Sequence, residues 1–213
     1  MINKNTEIYC SFAKKAGDVG CKLFNSSFNY YGMDKIYKSF SVNNIQDAVN
    51  AVRTLDIKGF AVTMPFKIEV VDYLDELDLG VQSIGAVNTV INDNGYLIGY
   101  NTDYLAAKEV LKECLGIDLY ILGNGGYSRA VQQAAKDLGY KPNIISRKNW
   151  NDIQGINNSI VYNCTPVENI KVSDSNDFID CIVSTPTGKR LSWIQAYYQF
   201  KLYTKEELPI RRM

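Results

Sequence analysis

The sequence predicts an α/β protein made of two consecutive units. Segments with strand-like apolar patterns alternate with segments of helical periodicity, and this alternation ends in a hairpin and then starts again near residues 115–117. A chain of 213 residues is long enough for two small domains that each bury a core. We therefore expect one domain over residues 1–115, a second over 116–190, and a C-terminal helix over 191–213 that packs back on the first domain.

The first unit is expected to contain a mostly parallel sheet covered by helices. Its Asn92-Asp93-Asn94-Gly95 run is a strong hairpin signal, and Pro65 suits the first turn of a helix that carries Ile68, Val71 and Leu74. The predicted strands cover residues 7–13, 35–42, 60–63, 87–91 and 96–100, and the other predicted helices cover residues 21–31, 45–55 and 104–115.

The second unit shows a new strand–helix–strand order. Strands are predicted over residues 118–122, 143–145, 159–163 and 178–183, with a helix over 128–138 that Gly139 ends. A last helix is predicted over 191–203, with Trp193, Ile194, Tyr197 and Phe200 on one apolar face.

The composition excludes several classes of function. The chain has no histidine, so histidine-based nucleophile pairs and histidine metal sites are absent, and no metal is expected. Lys+Arg and Asp+Glu are 23 each, which gives no sign of a nucleic-acid or membrane surface. The five cysteines show no CxxC spacing, and the polar N-terminus is not a signal peptide, so we expect a cytoplasmic protein with structural thiols.

A glycine-rich turn follows the first strand of the second unit. It reads G-N-G-G-Y-S-R-A over residues 123–130 and leads into an amphipathic helix. Glycines allow a tight turn and a close approach to a pyrophosphate, whose charge is stabilised at the helix N-terminus. The turn departs from G-x-G-x-x-G because Ser128 takes the third position. This context favours a dinucleotide site over an ordinary tight turn.

The next strand ends in three polar residues, Ser146, Arg147 and Lys148, about twenty residues after the glycines. An acid at this place would bind the ribose 2′-hydroxyl of NAD, whereas two cations suit the 2′-phosphate of NADP. The pattern therefore favours NADP, and a solvated basic turn is the alternative.

Three polar side chains stand at element boundaries in residues 59–103. Lys67 follows an apolar strand and opens a helix-like run, Asn88 lies in G-A-V-N-T, and Asp103 opens another helix. Residues at strand ends and helix starts converge on one edge of an α/β sheet, where such folds bind ligands. We interpret them as a substrate site. Taken singly, Asp103 and Asn88 could also be helix or turn caps, and Lys67 and Asp103 could form an ion pair.

The order of four motifs resembles the shikimate dehydrogenase family: V-T-M-P-F-K at 62–67, G-A-V-N-T at 85–89, G-Y-N-T-D at 99–103 and G-x-G-G-x-x-R-A at 123–130. The resemblance implies a substrate domain followed by a Rossmann-like NADP-binding domain. It implies reduction of 3-dehydroshikimate to shikimate with NADPH, in aromatic amino acid biosynthesis. A small-molecule substrate and a cytoplasmic monomer or homodimer are expected, with no nucleic acid and no membrane.

The resemblance also implies a role for individual residues. The catalytic pair is Lys67 and Asp103, acting on a ketone whose oxygen gains negative charge. The residues expected at the substrate are Thr63, Asn88 and Asp18, and those expected at the cofactor are Gly123, Gly125, Gly126, Ala130, Ser146, Arg147, Lys148 and Thr165. Whether Lys67 acts as a base or as an electrostatic group stays open at this point.

Two departures from the family pattern keep alternatives open. The family serines that bind the substrate carboxylate fall on Asp18 and Gly20, and a carboxylate at Asp18 would repel that group. The family's C-terminal G-x-x-M-L…Q segment has no counterpart after Tyr203. The alternatives are the same redox chemistry on another cyclic polyol or amino-polyol, and a dinucleotide-binding relative without catalysis.

Overall fold

The computed structural model describes residues 2–114 and 118–209, and the described chain forms two units. The division falls between Asn101 and Thr102 and again between Gln195 and Ala196, inside the last helix. Residues 196–209 thus belong with the first unit. The predicted join at residues 115–117 and the last four residues of the predicted C-terminal helix lie outside the described residues.

The first unit contains a six-stranded sheet and two covering helices. The strand order is β2-β1-β3-β5-β6-β4, in which β1 pairs in parallel with β2 and β3, and β5 pairs antiparallel with β3 and β6. The strands are β1 Glu7–Ala13, β2 Lys35–Ser41, β3 Gly59–Val62, β4 Glu76–Leu77, β5 Thr89–Asp93 and β6 Tyr96–Tyr100, and the helices are α1 Val19–Tyr30 and α2 Ile45–Thr54.

The pairing of these strands brings their polar neighbours to one edge of the sheet. The carboxyl ends of β1, β2 and β3 lie together because the three strands are parallel. Ala61 of β3 pairs with Thr89 at the start of β5, and Thr89 pairs with Tyr100 at the end of β6. Residues that follow β1, β3 and β6, or precede β5, therefore share this edge.

The C-terminal half of the last helix covers the aromatic side of the first unit. Phe200 is fully buried and stacks on Phe28 at 5.7 Å between ring centroids, and Tyr203 lies 4.9 Å from Tyr9. The buried face of this half is Ala196, Gln199, Phe200 and Tyr203, whereas Trp193 and Tyr197 of the predicted face are only partly buried. Aromatic residues occur all round the helix, so their spacing did not identify the packed side.

The second unit is a parallel four-stranded sheet of order β10-β9-β7-β8. The strands are β7 Leu119–Leu122, β8 Asn143–Ile145, β9 Ile160–Asn163 and β10 Asp177–Asp180, and the helices are α3 Thr102–Leu111 and α4 Gly126–Asp137. The last helix, α5 Pro186–Thr204, begins in this unit and ends in the first. The predicted α/β class, with a mostly parallel first sheet and a Rossmann-like second unit, is confirmed.

Three local predictions are wrong. The helix predicted after Pro65 is a run of turns followed by a short 3₁₀ helix, Glu69–Tyr73, in which the Leu74 amide bonds the Val71 carbonyl three residues back. The adjacent β-branched Val70 and Val71 disfavour an α-helix there. The strand predicted to residue 183 ends at Asp180, whose side chain accepts from the Ile182 amide at 3.0 Å and turns the chain. The last helix begins at Pro186, five residues before its predicted start.

Candidate active site

The turn that carries Lys67 is fixed to the carboxyl edge of the first sheet by its backbone. Thr63 follows β3, and its amide donates to the Phe12 carbonyl at 3.0 Å while its carbonyl accepts from the Phe66 amide at 3.0 Å. The Lys67 carbonyl accepts from the Val87 amide at 2.7 Å. The exposed Thr63 and the half-buried Lys67 thus occupy a defined turn next to residues 87 and 88.

Asn88 lies on the same edge in a buried polar cluster. Its side chain is 2% exposed, and its Oδ1 accepts a hydrogen bond from the Thr89 hydroxyl at 2.9 Å. Gln199 of α5 donates to the Thr89 hydroxyl at 2.9 Å and to the Asn88 carbonyl at 3.3 Å. We call Gln199, Thr89 and Asn88 the Gln199 cluster.

Asp18 occupies a different environment from these residues. It is the exposed residue immediately before α1, and its side chain makes no capping hydrogen bond. Its carbonyl accepts from the Lys22 amide at 3.0 Å. The structure therefore links Thr63, Lys67 and Asn88 through the backbone of one sheet edge and leaves the Asp18 carboxylate facing solvent.

Asp103 lies in the first turn of α3, in the second unit, and is 5% exposed. The preceding Thr102 donates to the Gln195 side chain at 3.4 Å. Nearby, the hydroxyls of Tyr127 and Tyr162 lie 3.0 Å apart. Burial above all, with the charge of Asp103 among the smaller causes, raises the pKa of both tyrosines well above the ordinary value. Tyr127 therefore keeps its proton at physiological pH.

The glycine turn after β7 has the geometry of an anion site. Gly123 has φ +102°, and a Cβ there would stand only 2.8 Å from the Thr165 methyl carbon. Gly125 precedes α4 without a side-chain cap, and a Cβ there would meet nothing within 4 Å. The buried Ser128 donates to the Gly123 carbonyl at 2.8 Å, so the serine that departs from the glycine pattern closes the loop. The open helix N-terminus at Gly125 and Gly126 suits a phosphate.

Ala130 does not face this open side of the turn. It lies one turn into α4 and is fully buried, so its side chain packs inside the second unit. We infer that its small size allows close packing of α4, which supports the glycine turn indirectly.

The basic turn after β8 is organised by Asn149. The Asn149 side chain accepts from the Ser146 amide at 2.8 Å and from the Ser146 hydroxyl at 3.1 Å. Arg147 and Lys148 are exposed, and the Gly123 amide bonds the Ile145 carbonyl at 2.7 Å. The two cations thus follow the strand that lies beside the glycine turn.

Thr165 follows β9 and is held by a buried asparagine. Asn163 is fully buried, and its Oδ1 accepts from the Thr165 amide at 2.9 Å and from the Thr165 hydroxyl at 2.7 Å. Its Nδ2 donates to Asp180 at 2.9 Å. The carboxyl ends of β7, β8 and β9 therefore bring the glycine turn, the basic turn and Thr165 to one edge.

Three further features of the described residues bear on the class of site. Over residues 2–114 and 118–209, no group of three or more Cys, Asp and Glu side chains could hold a metal ion. The five cysteines are free thiols. In the same ranges no helix has both the length and the apolar character needed to cross a membrane.

A family model and two curated relatives match this chain. The model describes the shikimate dehydrogenase substrate binding domain and matches residues 19–90. A shikimate dehydrogenase-like protein of Haemophilus influenzae is 36% identical over 152 residues, which is 70% of this chain and 56% of that protein. The chain belongs to the shikimate dehydrogenase family. A shikimate dehydrogenase (NADP(+)) of Pyrococcus furiosus is 38% identical over 150 residues, 68% of this chain and 54% of that protein.

The match to these family members is incomplete in sequence and nearly complete in structure. The chain spans little more than half the length of the two curated relatives. A solved structure of a shikimate 5-dehydrogenase-like protein superposes with a TM-score of 0.83 at 29% identity and covers 99% of this chain and 95% of that chain. The fold of the family is therefore present in both units.

The sequence did not indicate two residues that organise the site. Gln199 and Asn149 each bond a predicted site residue or its neighbour. Gln199 lies on a helix that the pattern predicted from its apolar face. An asparagine in the turn after a strand and a polar residue inside an apolar face were the available signals, and both are common in turns and helices without function.

Proposed function

We propose that this chain is an NADP-dependent oxidoreductase of the shikimate dehydrogenase type, which reduces 3-dehydroshikimate to shikimate in aromatic amino acid biosynthesis. The proposal depends above all on the sheet edge that holds Thr63, Lys67 and Asn88 together, because the resemblance assigns the catalytic lysine and two substrate-binding residues to these positions. The shared family and the name of the Pyrococcus furiosus relative support it.

NADP fits the second unit by its chemistry. The open glycine turn and the N-terminus of α4 offer backbone N–H groups and a positive dipole end to a pyrophosphate. Arg147 and Lys148, exposed after β8, suit the 2′-phosphate, and Thr165 and Gly123 line the same edge. Bound NADPH would supply the hydride for the ketone carbon.

The protein residues handle the charge that the reduction creates. Reduction places negative charge on the ketone oxygen, and the Lys67 ammonium group lowers the free energy of that charge and holds the proton that the oxygen takes up. Asp103 accepts a hydrogen bond from a substrate hydroxyl. Thr63 and Asn88 bind the remaining hydroxyls and orient the ring.

The purified chain should form NADPH from NADP when shikimate is added, and Lys67→Ala should abolish this turnover. Titration of NADPH by fluorescence is needed in parallel, because it shows that the cofactor site is intact in both proteins. Tight NADPH binding without turnover on shikimate would contradict the proposed substrate.

A second candidate substrate class is favoured by Asp18. Its exposed carboxylate takes the place of a family serine that binds the substrate carboxylate, and like charges repel. A cyclic polyol or amino-polyol without that carboxylate would avoid the repulsion. Turnover on such compounds but not on shikimate would favour this candidate, and turnover on neither, with NADPH bound, would favour a binding protein without catalysis.

A further inference from the structure

Gln199 lies at the centre of the Gln199 cluster, which consists of three uncharged and buried residues. The three side chains are 3%, 0% and 2% exposed for Gln199, Thr89 and Asn88. One nitrogen, Gln199 Nε2, is 2.9 Å from the Thr89 hydroxyl oxygen and 3.3 Å from the Asn88 main-chain carbonyl oxygen. Buried polar groups of this kind need hydrogen-bond partners, so the direction of each of these hydrogen bonds can be worked out from what the atoms can donate or accept.

The main-chain carbonyl determines which end of the Gln199 amide faces the cluster. A carbonyl oxygen only accepts hydrogen bonds, so the NH₂ end of Gln199 must face Asn88. The same NH₂ group then faces the Thr89 hydroxyl. Because an amide nitrogen only donates, the hydroxyl oxygen of Thr89 must accept from it.

The same argument determines the direction of the hydrogen bond between Thr89 and Asn88. The hydroxyl has one proton, and its remaining contact is the Asn88 Oδ1 at 2.9 Å. The proton therefore lies between these two oxygens, and the Asn88 side chain is held with Oδ1 toward Thr89 and its NH₂ branch turned away from Thr89.

The rest of Asn88 is fixed by the sheet. Its amide donates to the Tyr100 carbonyl at 3.1 Å, and its carbonyl accepts from the Val62 amide at 2.8 Å. Gln199 in turn is held by its neighbour Phe200, which stacks on Phe28. With both backbones fixed, the cluster acts on the orientation of the Asn88 carboxamide.

We propose that Gln199 is a positioning residue that, through the Thr89 hydroxyl, orients Asn88 so that its NH₂ branch is presented to the substrate as a hydrogen-bond donor. This kinetic role rests on the function proposed above, in which Asn88 binds a substrate hydroxyl. The orientation itself is a property of the protein and can be measured without substrate.

Two substitutions at Thr89 separate this role from packing. Thr89→Val keeps the shape but removes the hydroxyl, and it should raise the KM for shikimate about tenfold with kcat within about twofold, since the lost interaction is made in both ground and transition states. Thr89→Ser keeps the hydroxyl and loses a methyl group, and its KM should stay within about twofold of wild type. If Thr89 only fills space, Thr89→Ser should raise the KM for shikimate more than Thr89→Val does, and that result would overturn the proposal.

Two substitutions at Gln199 test the direction of the hydrogen bonds. Gln199→Glu leaves at most one proton at this place, and the Asn88 main-chain carbonyl, which only accepts, takes it, so the Thr89 proton turns toward residue 199 and the Asn88 carboxamide reverses. Gln199→Met removes the donor but leaves Thr89 able to donate to Asn88. We expect the KM for shikimate to rise about tenfold in the first and about twofold in the second, with the KM for NADP unchanged. Equal KM values for the two variants would count against the proposal.

Side-chain NMR of ¹⁵N-labelled protein keeps this test separate from the test of function. In wild type, the NH₂ protons of Gln199 should show cross-relaxation to the Thr89 side chain, and those of Asn88 should not. In Gln199→Glu, the NH₂ protons of Asn88 should show cross-relaxation to the Thr89 side chain. If Gln199→Glu does not fold, Thr89→Val takes its place in this experiment. In that variant the Asn88 carboxamide should no longer have a single orientation. If wild type shows these NMR signals but does not turn over shikimate, the proposed function is wrong and this inference stands. If the protein turns over shikimate but the Asn88 carboxamide has the same orientation in every folded variant, this inference is wrong and the proposed function stands.

Discussion

The main-chain carbonyl of Lys67 accepts a 2.7 Å hydrogen bond from the amide of Val87. This bond joins the turn after β3 to the residue before Asn88, so two distant segments share one edge of the sheet. The position of the Lys67 backbone therefore does not depend on its ammonium group, and substitutions of the side chain can be interpreted as changes in chemistry.

Lys67→Met should lower kcat by about 10² to 10⁴, because the developing oxyanion loses its cation. The variant should still unfold cooperatively in urea, since the backbone keeps its bond to Val87. Steady-state kinetics and urea unfolding measure the two effects. Lys67→Arg is the control that keeps the charge, and full activity in Lys67→Met would remove Lys67 from the mechanism.

Gly123 and Gly125 should respond differently to alanine. Gly123→Ala places a Cβ at φ +102° and 2.8 Å from the Thr165 methyl carbon, so it should destabilise the protein by about 1 to 3 kcal/mol. Gly125→Ala meets nothing within 4 Å and should leave stability nearly unchanged while weakening NADPH binding, because the Cβ stands in the space for the pyrophosphate.

Urea unfolding and NADPH fluorescence titration distinguish the two glycine variants. If Gly125→Ala bound NADPH as tightly as wild type, the pyrophosphate would not lie at the N-terminus of α4.

Arg147→Gln with Lys148→Gln should raise the KM for NADP about tenfold and leave that for NAD unchanged, because only NADP carries the 2′-phosphate. Lys141→Gln is a matched control, since Lys141 is also exposed but precedes β8 and so lies away from its carboxyl end. The KM values of both cofactors at fixed ionic strength provide the test. An equal rise in the KM for NAD and for NADP would mean that Arg147 and Lys148 do not recognise the 2′-phosphate.

Tyr203→Phe should stabilise the protein by about 1 kcal/mol, because removing an unsatisfied buried hydroxyl removes its desolvation cost. Among the residues that the structure describes, the Tyr203 hydroxyl is the buried side-chain polar atom without a hydrogen-bond partner. Tyr9→Phe is the matched control: its hydroxyl donates to the Tyr203 carbonyl at 3.1 Å, so its loss should destabilise by about 1 kcal/mol. Urea midpoints measure both, and destabilisation by Tyr203→Phe would contradict the prediction.

The local pattern of residues was sufficient to predict most elements. The first strand, residues 7–13, and the strand over residues 143–145 have the predicted bounds, because apolar alternation and short apolar runs between turn residues depend only on neighbours in the chain. The short β4 and the 3₁₀ helix Trp150–Gly155 were not predicted, since both are shorter than the window in which periodicity can be detected.

The sequence by itself determined the α/β class, the family and the residue types of the candidate site, because the motifs keep their order along the chain and each stands at a strand end. Only the tertiary structure decided how those residues are held. Gln199 reaches Asn88 across 111 positions of sequence, and Asn163 meets Asp180 across 17. Such pairs depend on strand order and helix packing, which are properties of the whole fold, so no local pattern contains them.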